Sequence, residues 1–156
     1  MHANLSSPVF NQRGCSRPLE QRVHHLFRQA SSISLFEKVS ALWGSGRKML
    51  STLAEGVVGG EQVYIGRKSV QLTQIQGSCN VGRCQEFDAT FQPARLHSPH
   101  RWYSIAIARL QGKKLPPILL VQVEQRYFVT DGHHRVSVAR ALGDVEIEAD
   151  VARCYV

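Results

Sequence analysis

Three features of this 156-residue chain predict an α+β domain, a mixed sheet with packed helices plus a helical extension on its N-terminal side. Helical apolar spacing in the first sixty residues gives way after Gly60 to a period of two. A short continuous apolar run, Ile118–Val123, reads as a central strand. Further on, the apolar run over residues 127–130 stops at Asp131-Gly132, and a helical pattern begins at once, with Val136, Ala139 and Leu142 on one face.

Taken in order, residues 1–17 are polar and are expected to fray. From Pro18, which a first helical turn accepts, Leu19, Val23, Leu26, Phe27 and Ala30 form one stripe. Ser31-Ser32-Ile33-Ser34 then interrupts and caps a second helix on Leu35, Val39 and Leu42. Its stripe continues past Gly44-Ser45-Gly46 through Met49, Leu50 and Leu53. The extension is assigned to residues 1–60 and the main domain to 61–156. Such a helix pair is either a helix-turn-helix reader of DNA or a hairpin packed on the main domain or a second subunit. Hairpins are far commoner, and no base-reading pattern is evident. A homodimer through these helices is one expected assembly.

After Gly60, residues 62–65 and 69–75 read as two strands separated by Gly66-Arg67-Lys68. The loop over residues 77–88 holds two glycines, Arg83, Glu86 and Asp88, a content that suits a binding loop. The alternative is a surface excursion with Arg83 paired to Glu86 or Asp88. A helix from Pro99 to Leu110 carries Trp102, Ile105, Ala106 and Arg109 at helical spacing, and Gly112 to Pro117 breaks it. Glu124-Gln125-Arg126 turns the Ile118 strand into residues 127–130, and Gly143 stops the last helix. Residues 145–151 alternate strictly, apolar on one face and acidic on the other, as an antiparallel or edge strand with one wet side.

Composition bounds the function. The chain can bury one good core, and no apolar run reaches the roughly 18 residues a membrane helix needs. The first residues lack the basic start and apolar run of a secretory signal, so a cytoplasmic location with no membrane partner is expected. Net charge is +7, with seven basic minus three acidic residues up to position 60 and twelve minus nine after it. That favours polyanionic partners, nucleotide or DNA, without specifying an activity. Cys79, Cys84, His97 and His100 approach a zinc-finger spacing, but Pro99 sits where the finger's helix should run.

The Asp131-Gly-His-His-Arg135 junction carries the chemistry. A strand that turns through glycine into a helix presents unpaired amides and the positive end of the helix dipole, which suits an anion. Gly132 permits close backbone approach, and Arg135 adds a planar donor fork suited to phosphate. The alternative is a junction with structural duties only: Asp131 caps the helix, Gly132 serves the turn and Arg135 is solvated.

The order of these parts resembles the N-terminal domain shared by ParB partition proteins and sulfiredoxins, over residues 61–152. The likeness is carried by residues 69–75 leading into the Gly/Arg loop, Gly112-Lys-Lys-Leu-Pro-Pro-Ile118, the strand pair through Thr130, the Asp131 to Arg135 junction with its helix, and the closing strand. That superfamily includes CTP-hydrolysing partition proteins, ATP-dependent sulfiredoxins, kinases of free serine and reported nucleases, and the fold does not choose among them. Sulfiredoxins use a cysteine in a Gly-Cys-His-Arg turn. Gly132-His133-His134-Arg135 has no thiol there, which argues against that repair chemistry. Partition proteins carry Gly-Glu-Arg-Arg, and the Asp-Gly-His-x-Arg form here is more similar to the kinase-type members.

The resemblance implies a nucleotide, ATP or CTP, with Mg²⁺. The amides of Gly132, His133 and His134 together with Arg135 are expected to hold phosphates, with Arg83 closing from the loop. Asp131 holds the metal or caps the helix, and Glu86 or Asp88 orients an attacking hydroxyl or water. His134 donates to phosphate oxygens or packs in the core. Phosphoryl transfer or nucleotide hydrolysis is the implied chemistry. The alternatives are a non-enzymatic DNA-associated module contacting phosphates through Arg22, Arg28 and Lys48, and a nuclease, for which no metal cluster is evident.

Overall fold

Parallel strand neighbours within a mixed sheet bring together most of the residues that the sequence points to. The computed structural model describes residues 16–31, 50–53, 60–93 and 99–155. Their order is α1 (Ser16–Ser31), β1 (Ser51–Thr52), β2 (Gln62–Gln71), β3 (Ile75–Ser78), α2 (His100–Leu110), β4 (Ile118–Val123), β5 (Arg126–Asp131), α3 (His133–Leu142) and β6 (Glu146–Cys154). The six strands form one mixed sheet in the order β1-β3-β5-β4-β6-β2. β1, β3 and β5 run parallel, and so do β4 and β6. The β5–β4 and β6–β2 pairs are antiparallel. The α+β class with a mixed sheet is the one the sequence predicts.

The main core lies between the sheet and α3. Val70, Ile75, Ile118, Leu120, Val129, Ala149 and Val151 from the strands meet Val136 and Ala139 from the helix. The alternate residues Val121 and Phe128 point to the other side of the pleat, with Leu53 and Cys154. The α1 stripe is confirmed in α1 itself. Val23 is buried against Trp102, Ala106 and Val138, with Leu26, Phe27 and Ala30 beside it. Helix α1 and strand β1 precede residue 60 in the chain, and they pack on or pair with elements that follow it. Among the described residues no helix is long and apolar enough to cross a membrane.

Two local expectations are corrected and a third is narrowed. The stripe of the second helix was drawn through Leu50 and Leu53, but residues between them form strand β1. Three residues apart in extended chain, these leucines face opposite sides of the sheet and enter different clusters. The rest of that helix lies outside the described residues. The two strands over 62–65 and 69–75 are one strand, β2, because Gly66, at φ +109°, is absorbed as a bulge. That strand stops at Gln71. Leu72 turns into the core, its N–H bonds the Val145 carbonyl at 2.9 Å, and Arg140 Nη2 donates to the carbonyls of Leu72 and Ile75. A 3₁₀ turn over Leu72–Gln74 results. Finally, β6 is antiparallel to β2 with one wet side, but it is not an edge; it sits between β4 and β2. Its acidic side meets Ser69 and Arg67, through Glu146 and Asp150.

Candidate functional site: an arginine-lined cleft at the start of helix α3

Parallel pairing of β3 with β5 brings Ser78 opposite Val129, so the segments leaving these two strands are neighbours. One segment is the 3₁₀ turn Val81–Gln85 carrying Arg83. Its start is fixed by Asn80, whose side chain accepts the Gly82 N–H at 3.0 Å. The other is the Gly132 junction. Gly132 has φ +103°, and a Cβ there would fall 2.5 Å from Ile118 Cγ2, so both conformation and close approach exclude larger residues. The first α3 backbone bond runs from Val136 N–H to the Gly132 carbonyl at 3.0 Å, so the amides of residues 133–135 precede the helical ladder.

These segments and the first turn of α2 enclose a cleft of ≈ 120 Å³ whose lining includes Arg83, Arg101, Asp131, Gly132, His133 and Arg135. His134, Asn80 and Thr130 complete its polar wall. Three arginines against one carboxylate make the lining cationic. The cleft therefore gathers six of the eight residues singled out from sequence: Arg83, Asp131, Gly132, His133, His134 and Arg135. Glu86 and Asp88 do not line it.

The individual partners refine each expected role. Arg135 has only 14% of its side chain exposed. Its Nη1 donates to the Pro116 and Pro117 carbonyls at 2.5 and 2.7 Å, and its Nη2 to Asp131 Oδ2 at 2.6 Å. It clamps the connection before β4 to α3. Asp131 is thus paired to Arg135 rather than capping the helix, whose N-cap position is Gly132 with no side-chain cap bond. Arg83 Nη1 bonds both Glu86 oxygens, at 2.9 and 2.6 Å. Asp88 is buried, and its Oδ1 accepts from the Thr90 N–H, the Thr90 hydroxyl and the Gln92 N–H. Its place in the structure is to shape the turn that seats Phe91 against His133.

His133 and His134 are both buried, at 5% and 7% exposure. Phe87 meets His134 edge-on at 5.1 Å and stacks on His133 at 6.1 Å. His133 Nε2 lies 2.7 Å from the fully buried Ser78 hydroxyl. Burial first, then the Arg83 charge, lower the His133 pKa from 6.5 to about 4, so the ring is neutral at pH 7. Cys79 is half-buried with its thiol pushed up by burial. Among the described residues no three His, Cys, Asp or Glu side chains cluster as for a metal, and His97 lies outside them.

Asn80, Arg101 and Ser78 were not singled out from sequence. Arg101 carried a signal: it and His100 open a helix with no acidic residue in its first turn, against the dipole's preference. Ser78 carried none, because its partner is 55 residues away in the chain.

No protein-family model matches the chain, and no curated protein matches it in sequence. Among solved structures, the crystal structure of sulfiredoxin from Arabidopsis thaliana is similar in part. The TM-score is 0.41 at 16% identity, covering 55% of this chain and 82% of that one.

Proposed function

We propose that the cleft binds the phosphate end of a nucleotide, ATP or CTP, in a ParB/sulfiredoxin-like domain. The observation that carries this reading is convergence: Arg83, Arg101 and the residues whose amides precede the α3 ladder line one small cavity beside a left-handed Gly132. Guanidinium groups and helix-start amides are the donors that phosphate oxygens select. The cavity's ≈ 120 Å³ is below the ~300–1,000 Å³ of pockets that enclose whole small ligands. The phosphates sit inside and the base remains outside.

Asp131 is the carboxylate in the lining, and Mg²⁺ is commonly held by one or two carboxylates plus substrate phosphates. The residues fit such an ion only together with the nucleotide. Bound there, Mg²⁺ would neutralise phosphate charge. Glu86 is engaged by Arg83 and Asp88 by its own turn, so binding rather than turnover is the activity proposed. A kinase-type phosphotransferase or a nucleotide hydrolase would further require one of these carboxylates to be released toward the cleft.

Calorimetry of the chain with ATP, CTP and inorganic phosphate, with and without Mg²⁺, tests the reading. Arg101→Ala should lower phosphate affinity about tenfold, the loss expected for one hydrogen bond to a charged group, and leave the fold intact. A wild-type chain that binds none of these ligands ends the proposal.

A further inference from the structure

Ser78 is fully buried at the end of β3, and nothing in the phosphate reading uses it. Its hydroxyl oxygen accepts the Asn80 N–H at 2.9 Å. It lies 2.7 Å from His133 Nε2, 3.1 Å from the Asn80 carbonyl oxygen and 3.4 Å from that of Val129. One hydroxyl proton thus has three acceptors within reach. Short hydroxyl bonds run at roughly 2.7–2.8 Å, and the Val129 carbonyl already takes the Cys79 N–H at 2.9 Å. Donation to Nε2 makes the best of the three bonds when the ring offers a bare Nε2.

Two phenyl rings border the imidazole and limit its reorientation. Phe87 stacks on one part of it at 6.1 Å, and Phe91 lies tilted at 6.3 Å. Phe91 itself is held at φ +60°, a left-handed backbone rare outside glycine, in the turn organised by Asp88. A neutral imidazole has one N–H and one bare nitrogen, and the partner of one decides the state of the other. If Nε2 accepts from Ser78, the ring proton is on Nδ1, the other nitrogen of a side chain that lines the cleft. The opposite tautomer would turn a lone pair toward a phosphate oxygen and repel it.

We infer that Ser78 is a positioning residue for anion recognition: by donating to Nε2 it fixes the His133 proton on Nδ1, so that a neutral N–H joins Arg83 and Arg101 around a phosphate oxygen. This rests on the phosphate reading of the cleft. Burial beside two phenyl rings disfavours a charged imidazole, so the tautomer sets what the ligand meets.

The test is the nitrogen-15 spectrum of the imidazole rings of the full chain at neutral pH, which separates the two tautomers without any ligand. His133 should show a protonated Nδ1 and a bare Nε2, and Ser78→Ala should move the proton to Nε2. Inorganic phosphate affinity should fall about tenfold in Ser78→Ala. In a His133→Asn background, where the side-chain amide stands in for Nδ1–H and nothing reaches Ser78, Ser78→Ala should cause no further loss. Should Ser78→Ala fail to fold, the wild-type spectrum still decides. A wild-type ring protonated on Nε2 overturns the inference, as does unchanged phosphate binding by a folded Ser78→Ala. The expected tautomer in a wild-type chain that binds no phosphate overturns the phosphate reading instead.

Discussion

Arg135 and Arg101 border the same cleft, and the structure uses their identical charges in opposite ways. The Arg135 guanidinium closes on two proline carbonyls and Asp131. Arg101 is exposed in the first turn of α2 and has no ion-pair partner among the described residues. Arg140, five residues beyond Arg135 on α3, repeats the clamp, bonding the Leu72 and Ile75 carbonyls with its guanidinium over the Phe91 ring at 5.0 Å. A half-buried guanidinium in a motif is therefore read first as a holder of backbone carbonyls. Those donors are already engaged, whereas an exposed one on a cleft rim keeps them for a ligand.

The comparison breaks most visibly at Arg135. Arg135→Ala leaves the Pro116 and Pro117 carbonyls without their donor and Asp131 without its partner. It should lower unfolding stability by about 3–4 kcal/mol, two or three charge-assisted bonds' worth at partial exposure. Urea denaturation measures this, and any loss of phosphate binding should track the unfolded fraction. A wild-type urea midpoint combined with lost binding would make Arg135 the ligand residue and reverse the contrast with Arg101.

Acid comes next in size. His133 titrates at about 4 when folded against 6.5 as its ordinary value. The unfolded chain therefore takes its proton first on acidification. The stability contributed by the neutral ring is full above pH 6.5 and is lost as pH falls toward 4, by about 3 kcal/mol in all. Thermal melts of wild type and His133→Asn across that window should converge as pH drops. Parallel curves would show that the ring is accessible to protons in the folded state and not walled in by Phe87 and Phe91.

What the sequence made legible follows from which interactions are local. The β5–Gly132–α3 junction was readable because period, breaker and helix stripe lie within residues 127–143; the fold bears out the strand, the breaker and the helix, with Val136 and Ala139 in the main core but Leu142 packed against the α1–α2 cluster. Arg83 was drawn to the same site by resemblance, and the parallel β3–β5 register is the physical reason they meet. The β2 strand was misdivided because a bulge at Gly66 looks like a turn when the β6 partner, far along the chain, is unseen. Asp88 looked like a base because a carboxylate in a loop carries no mark of what it bonds. Its partners, Thr90 and Gln92, are near in sequence but bind it only in one turn geometry. Ser78 and the Arg135 clamp depend on contacts across 55 and 18 or more residues, which no window of sequence displays.

A smaller effect sharpens the contrast on the rim itself. Arg83 shares its cleft position with Arg101, yet Glu86 holds its Nη1 through both carboxylate oxygens. A ligand must compete with that pair, whose members keep 35% and 18% side-chain exposure. Partly exposed pairs contribute only a few tenths to about 1 kcal/mol. Glu86→Gln should accordingly raise inorganic phosphate affinity by about threefold, in the opposite direction to Arg101→Ala. A fall in affinity would mean that Glu86 holds Arg83 in its binding position instead of away from it.

The smallest expected difference concerns the base. Cytosine and adenine differ in edges that only placed donors and acceptors can read, and such discrimination needs buried polar groups around the ring. The ≈ 120 Å³ cleft is lined by charged and polar side chains, with Ile105 the lone apolar one. Among the lining residues none forms a wall large enough to enclose a base. ATP and CTP should therefore bind within about twofold of each other, and inorganic pyrophosphate should compete with both. A calorimetric preference of tenfold or more for one base would require a second contact surface outside the cleft, and would place base recognition on a part of the chain other than the β3, β5 and α3 ends.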